Sequence, residues 1–353
     1  MVAGGLVEAH RAADRNRQIL RQDATMPLSL RRGMSLVSAI ALRSGYGEDI
    51  ASQANAFTAL ACRPVGEWGP QPFAEAEESG AILLDAGFGA PTSDCLELAS
   101  SGHESSIIED IFHEGLRTAL AAAGTGANDL YREVREAIVR RPCLKRSDML
   151  NFAFSVPEMA GDIPGFFRKL PASALDGRTL RLCRHCSSPL FMDRDRVAYP
   201  MGRCAVRECR MTHSETSVGE VHEVPNPDDW RIADPSLMTY WVGPGLPEIW
   251  LYDTLSSVRS DVELYPMCDA ADIGLAGLEI GIDVKSYSSA VVIGQRFAAN
   301  IGGLGAFRRR IVAIPDFWIR IDRNYCRTAM DITGSKNGLE FMSVSDVAKE
   351  FSR

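Results

Sequence analysis

The chain has 353 residues, 46% of them apolar, and a formal net charge of −8. That length suggests two or three domains. No run of about 18 apolar residues is present, which argues against a membrane span, and no secretory signal opens the chain. Nine cysteines, an odd number, argue against a disulfide framework and for a cytoplasmic home.

Residues 1–175 read as a mostly helical region. Residues 28–43 mix apolar and basic side chains and suit one helix. The segment 73–78 carries three glutamates, a solvated face. In residues 105–122 the apolar residues Ile107, Ile108, Ile111, Phe112, Leu116 and Leu120 recur at helical spacing. Ser105 or Ser106 suits its cap, and Gly124-Thr125-Gly126 its end. A second helix is expected from Asp129 to Val139, stopped by Pro142. His113 stands one turn from Glu109 and is read as a surface residue. Nothing in this region has catalytic spacing.

The strongest metal signal follows. Cys183-x-x-Cys186 and Cys204-x4-Cys209 supply four soft ligands on two tight knuckles, suited to tetrahedral Zn²⁺. The 17 residues between the pairs allow a short hairpin, as in a zinc ribbon, expected over 176–225. Four thiolates leave no open position, so such a zinc is structural. His185 lies inside the first knuckle and is expected to face away. His213 is a substitute ligand should Cys209 not serve. Between Arg140 and Arg210 stand fourteen basic residues against seven acidic ones, a net of +7, and twelve of the fourteen are arginine. Arg181, Arg184, Arg203, Arg207 and Arg210 are the candidates for phosphate contact. Residues 226–237, rich in proline and acids, read as a linker.

The last region, 238–353, opens with a helix expected over 246–258, with Pro247 in its first turn. It carries Glu248 and Asp253. Residues 262–266 suit a first strand. Residues 279–287 are apolar and β-branched and suit a buried strand, on which Asp283 and Lys285 share one face while Val284 points away. Asp272 precedes Asp283 by eleven residues, enough for a neighbouring strand and a turn at Gly274 or Gly277. Two hard oxygen ligands at a strand edge suit Mg²⁺, or Mn²⁺ in its place. Such an ion polarises a phosphodiester and acidifies water, with Lys285 placed to hold that water or stabilise charge. A helix over 288–301, carrying Gln295, and a strand over 308–315, led by Arg308, Arg309 and Arg310, which suit phosphate contact or a solvated strand end, complete the set. Residues 343–351 suit a terminal helix capped by Ser343 or Ser345.

The pattern D-x(10)-D-V-K resembles the PD-(D/E)xK signature of the restriction-endonuclease-like nucleases. Asp272, Asp283 and Lys285 fall on that family's metal and catalytic positions. Ala271 stands where the proline is usual, so Asp269 competes with Asp272 for the first acid. The resemblance implies an α-β-β-β-α-β core, a helix acid reaching the metal site (Glu248, with Asp253 weaker), and a glutamine after the D-x-K strand (Gln295). Helical region, C-x2-C…C-x4-C ribbon and C-terminal D-x(10)-D-V-K domain together are similar to the nuclease component of prokaryotic Piwi-related (pPIWI-RE) defence islands. The fold class expected is a multidomain chain of α, small zinc ribbon and α/β. The function implied is a Mg²⁺-dependent DNA endonuclease acting against invading DNA with Argonaute-like and helicase partners. Paired cuts in duplex DNA suggest a homodimer. The alternatives are a zinc-ribbon binding subunit with an inactive nuclease-like scaffold, and an RNA-processing or regulatory factor.

Overall fold

A computed structural model describes residues 1–16, 26–100, 120–193, 195–213, 215–334 and 338–352. The described residues fall into two units, each assembled from separated stretches of the chain. The first holds Met1–Asp110, Ser286–Ile301 and Trp318–Phe341; the second holds Ile111–Lys285, Gly302–Phe317 and Met342–Arg353. No helix among the described residues is long and apolar enough to cross a membrane.

In the first unit the Leu28–Arg43 helix forms over the expected residues. Steps of three and four put Leu30, Met34, Val37 and Ala41 on one buried face. The Val2–Asn16 helix packs on it, and a Cβ on Gly5 would meet the Leu30 backbone N at 2.3 Å, so that approach needs a residue without a side chain. Phe57 and Trp68 complete this core edge to face, with ring centroids 5.7 Å apart. Elsewhere in the unit, the Ala290–Ala299 helix is capped by Ser289, whose hydroxyl accepts from the Val292 amide. Buried Asp94 accepts hydrogen bonds from the Ser288 amide and hydroxyl and from the Ser289 amide, fixing the entry to that helix. The Tyr325–Thr333 helix packs against it at Gly294. The helix expected over 105–122 lies outside the described residues up to 119, with His113 and Glu109; residues 120–123 are helical.

The second unit contains the Ala127–Arg140 helix, one residue or two longer at each end than expected and followed by Pro142. Next come β1 (Cys143–Lys145) and β2 (Phe167–Lys169). The ribbon consists of β3 (Leu175–Asp176), β4 (Thr179–Cys183), β5 (Leu190–Phe191), β6 (Arg203–Cys204) and β7 (Val218–Glu223). β3, β4 and β7 make one antiparallel sheet, and β5 pairs with β6. The stretch 226–237, expected as a linker, carries β8 (Trp230–Ala233), the middle strand between β1 and β2. Its prolines lie outside the strand, and alternation buries Trp230 and Ile232 while Arg231 is half-buried.

The remaining sheet of this unit contains β9 (Val262–Leu264), β10 (Ile273–Leu275), β11 (Ile280–Val284) and β12 (Arg309–Ile314). β9, β10 and β11 are antiparallel neighbours, and β12 runs parallel to β11. The β10–β11 hairpin turns over residues 276–279, with Ala276 (φ 51°) and Gly277 (φ 68°) in left-handed backbone and the Glu279 amide donating to the Ala276 carbonyl. A parallel step needs a crossover, and the chain between β11 and β12 carries the Ala290–Ala299 helix. The Gly243–Ser256 helix begins before the expected residue 246, because a wide turn over Met238–Val242 leads directly into it. Pro247 therefore stands inside the helix. A later strand, β13 (Leu339–Ser343), has residues in both units. The final helix, Val344–Phe351, is capped as expected: Ser343 Oγ accepts from the Asp346 amide at 2.9 Å.

Candidate active site and metal centre

The β10–β11 register places Ile273 opposite Ile282. One step further along the hairpin Asp272 faces Asp283, and opposite residues of an antiparallel pair share a face. The step is anchored, since the Val284 amide donates to Asp272 Oδ2 at 2.6 Å. Lys285 Nζ lies 2.5 Å from Asp283 Oδ1 and 3.9 Å from Asp272 Oδ2. Val284 points away into the core, so the three motif residues converge as the alternation requires.

Behind them lies a group that motif reasoning missed. Arg135, on the Ala127–Arg140 helix, sends Nη2 to both oxygens of Glu248 at 3.0 Å. The same nitrogen lies 3.6 Å from Asp272 Oδ1, and Nη1 donates to Asp269 Oδ2 at 2.5 Å. The Tyr265 hydroxyl donates to Glu248 Oε2, and the Tyr131 hydroxyl to Asp269 Oδ2. The guanidinium carbon stands 4.2 Å from the centre of the Tyr265 ring. Glu248 thus enters the site, joined to Asp272 by one guanidinium. Asp269 does as well, in a left-handed backbone run that includes Tyr265, Met267 and Cys268. Asp253 turns outward and pairs with Arg140 at 2.6 Å. One signal for Arg135 is present in the sequence: it interrupts the apolar stripe Leu130, Val134, Ile138 of its own helix.

Four carboxylates and two cations leave this group with two negative charges to spare. Burial is the main reason that the Asp272 carboxyl is pushed well above the usual carboxylate range, and neighbouring Glu248 adds to it. Burial also raises Glu248, against the pull of Arg135. For Lys285 burial works downward, but Asp283 and Asp272 outweigh it and hold the side chain as an ammonium. Burial works against the Arg135 charge too, and Asp269 and Glu248 overcome it.

The four cysteines form a separate centre. Cys183 ends β4, Cys186 sits in the following turn, Cys204 lies on β6, and Cys209 on the Arg207–Thr212 helix. All four are buried, and their sulfurs lie within 4.8 Å of one another. Among the described residues no other set of three or more potential metal ligands is so close. This buried set could bind zinc. His213 stays outside it, its ring stacked on that of His185 at 3.7 Å. The core beneath the ribbon is small, formed by Cys143, Leu170, Ala174, Leu180, Leu182, Val224 and Trp230, and a segment with so little to bury gains from a metal staple.

The arginines expected to meet nucleic acid divide in two. Arg210 donates to the carbonyls of Cys204 and Ala205, Arg207 to Glu208, and Arg181 to Asp176, so these three brace the ribbon. Arg184, Arg203 and Arg308 are exposed, with Arg203 over the Tyr199 ring and Arg308 beside Glu279. Arg309 pairs with Glu350. Gln295 is exposed on the Ala290–Ala299 helix of the first unit.

Residues 245–353 match the family model described as the REase associating with pPIWI_RE, and residues 1–145 match the one described as the pPIWI_RE three-gene island domain Y. No curated protein and no solved structure matches the chain. The carboxylate–lysine hairpin falls inside the first match and the Arg135 helix inside the second; the chain is that of a pPIWI_RE island protein with a nuclease-like part.

Proposed function

We propose that the chain hydrolyses phosphodiester bonds in DNA with Mg²⁺ or Mn²⁺ held by Asp272 and Asp283, in a restriction-endonuclease-like core. The observation that carries this is the convergence of Asp272, Asp283 and Lys285 on one face of a hairpin. The donor set fits a divalent ion: hard oxygens and, with all four acids counted as ionised, a formal surplus of two negative charges. A bound ion supplies a polarised phosphate oxygen and an acidified water.

The chain's own residues do the rest. Lys285 is 34% exposed, so its ammonium reaches substrate from the solvent side of the group. Held charged by its carboxylates, it orients water by donation and stabilises charge developing on the phosphate. It is not a proton acceptor while both acids are ionised. Asp272, fully buried and pinned to the Val284 amide, presents its oxygens without rotamer freedom. We assign a structural zinc to the four cysteines and DNA contact to the exposed arginines Arg184, Arg203 and Arg308. Island membership suggests association with Piwi-like defence partners.

The test is cleavage of duplex and single-stranded DNA with Mg²⁺ and Mn²⁺. Asp283→Ala and Lys285→Ala should abolish it while zinc content stays at the wild-type level and the chain remains folded by circular dichroism. Wild-type-like cutting by either variant would refute the assignment. A protein that binds DNA and never cuts it, with partners and both ions supplied, is a binding subunit instead.

A further inference from the structure

Four carboxylates converge near the hairpin, yet they are not equivalent. Glu248 and Asp269 are committed to fixed donors of the protein, the first deeply buried and the second with a side chain 31% exposed. Both Glu248 oxygens accept from Arg135, and one accepts from Tyr265 as well. Asp269 accepts from Arg135 and Tyr131. Arg135 and Glu248 are deeply buried, with side chains 7% and 2% exposed. Asp283 and Lys285 stand on the open side, at 16% and 34%. Asp272 lies between, one oxygen towards Arg135 and the other towards Lys285.

The helix that carries Arg135 is itself tied down. Asn128, on the same helix, donates to Glu263 and accepts from the Cys268 amide. Further along that helix, Arg140 makes two hydrogen bonds to Asp253. The helix is thereby fastened on both sides of Arg135. Against the two carboxylates Glu248 and Asp269 this side chain supplies one permanent positive charge. The group then lacks two charges, which one divalent ion supplies and two would exceed.

We propose that Arg135 is a positioning residue, a fixed cation that ties up Glu248 and Asp269, so that the site takes a single divalent ion on Asp272 and Asp283. This rests on the nuclease reading, in which those two aspartates hold the ion. It departs from that reading's simplest form by making Glu248 a partner of arginine rather than a metal ligand.

The test is a Mn²⁺ titration of the full-length, zinc-loaded protein, followed by the EPR signal of free Mn²⁺. The wild type should bind one Mn²⁺ per chain. Asp283→Asn should weaken that binding by more than the roughly 10–100-fold that a change outside the ligand set costs, and Glu248→Gln by clearly less than Asp283→Asn. Arg135→Met should admit a second Mn²⁺, since Glu248 and Asp269 then lack their counter-charge. Two ions bound to the wild type, or equal losses in Glu248→Gln and Asp283→Asn, overturn the proposal. The wild-type stoichiometry decides even where a variant fails to fold. One bound ion without DNA cleavage would sink the nuclease reading and leave the single-ion site standing. Two ions with cleavage would do the reverse, and no bound ion would end both.

Discussion

Arg135→Met removes a buried charge while keeping most of the stem that packs beneath Tyr265. In the wild type one guanidinium faces three carboxylates, at 3.0 Å for Glu248, 2.5 Å for Asp269 and 3.6 Å for Asp272. Deleting one partner of a buried ion pair costs about 3–5 kcal/mol, because the other charge is left without compensation. Melting midpoints move by roughly 2–4 °C per kcal/mol in a unit of this size, so the midpoint should fall by about 6–20 °C near neutral pH. The pH dependence gives a second handle. Burial already raises Glu248, and losing the arginine raises it further. An acid whose folded pKa lies above its unfolded value contributes fully below the unfolded value, about 4.3 for glutamate, and loses that contribution as pH rises through the folded value. The deficit of the variant should therefore be smallest near about pH 5 and grow towards about pH 8. Melting followed by circular dichroism across that range measures both. A midpoint within about 2 °C of wild type at neutral pH, or a deficit that ignores pH, refutes the electrostatic account.

Other substitutions probe other parts of the molecule. Cys204→Ser should abolish zinc retention, measured by elemental analysis, and open residues 176–225 to proteolysis; full zinc content in the variant would exclude the four-sulfur site. Gly281→Ala should cost about 1–3 kcal/mol, since a Cβ there would meet the Phe307 ring at 2.4 Å, and an unchanged denaturant midpoint would show that Phe307 moves aside freely. Ser343→Ala should cost about 1 kcal/mol through loss of the helix cap, read by the same denaturation.

The parts legible in the sequence are those whose partners lie close along the chain. The cysteine pairs, the cap at Ser343 and the hairpin carrying Asp272 and Asp283 all follow from short-range spacing. Helix ends were harder: the Gly243–Ser256 helix starts before its proline because a wide turn feeds it, and no local signal announces that turn. The strand Trp230–Ala233 was hidden by flanking prolines, although its own alternation is plain once the prolines are set aside. Arg135 was out of reach for a different reason. Its partners Glu248 and Asp269 are 113 and 134 residues away, and charge complementarity at that range leaves no periodic trace. What the sequence does show is an arginine inside an apolar stripe, which demands a buried acid without saying which one.

The placement of Arg135 in one matched segment and its acids in the other has a consequence for how this gene product can be divided. A polypeptide beginning at residue 245 would carry Glu248, Asp269, Asp272 and Asp283 but leave behind Arg135, which donates to the first two. Such a fragment would hold its acids together only by taking up protons, and would gather ions that the intact chain refuses. Recombination that exchanged either segment alone would face the same penalty.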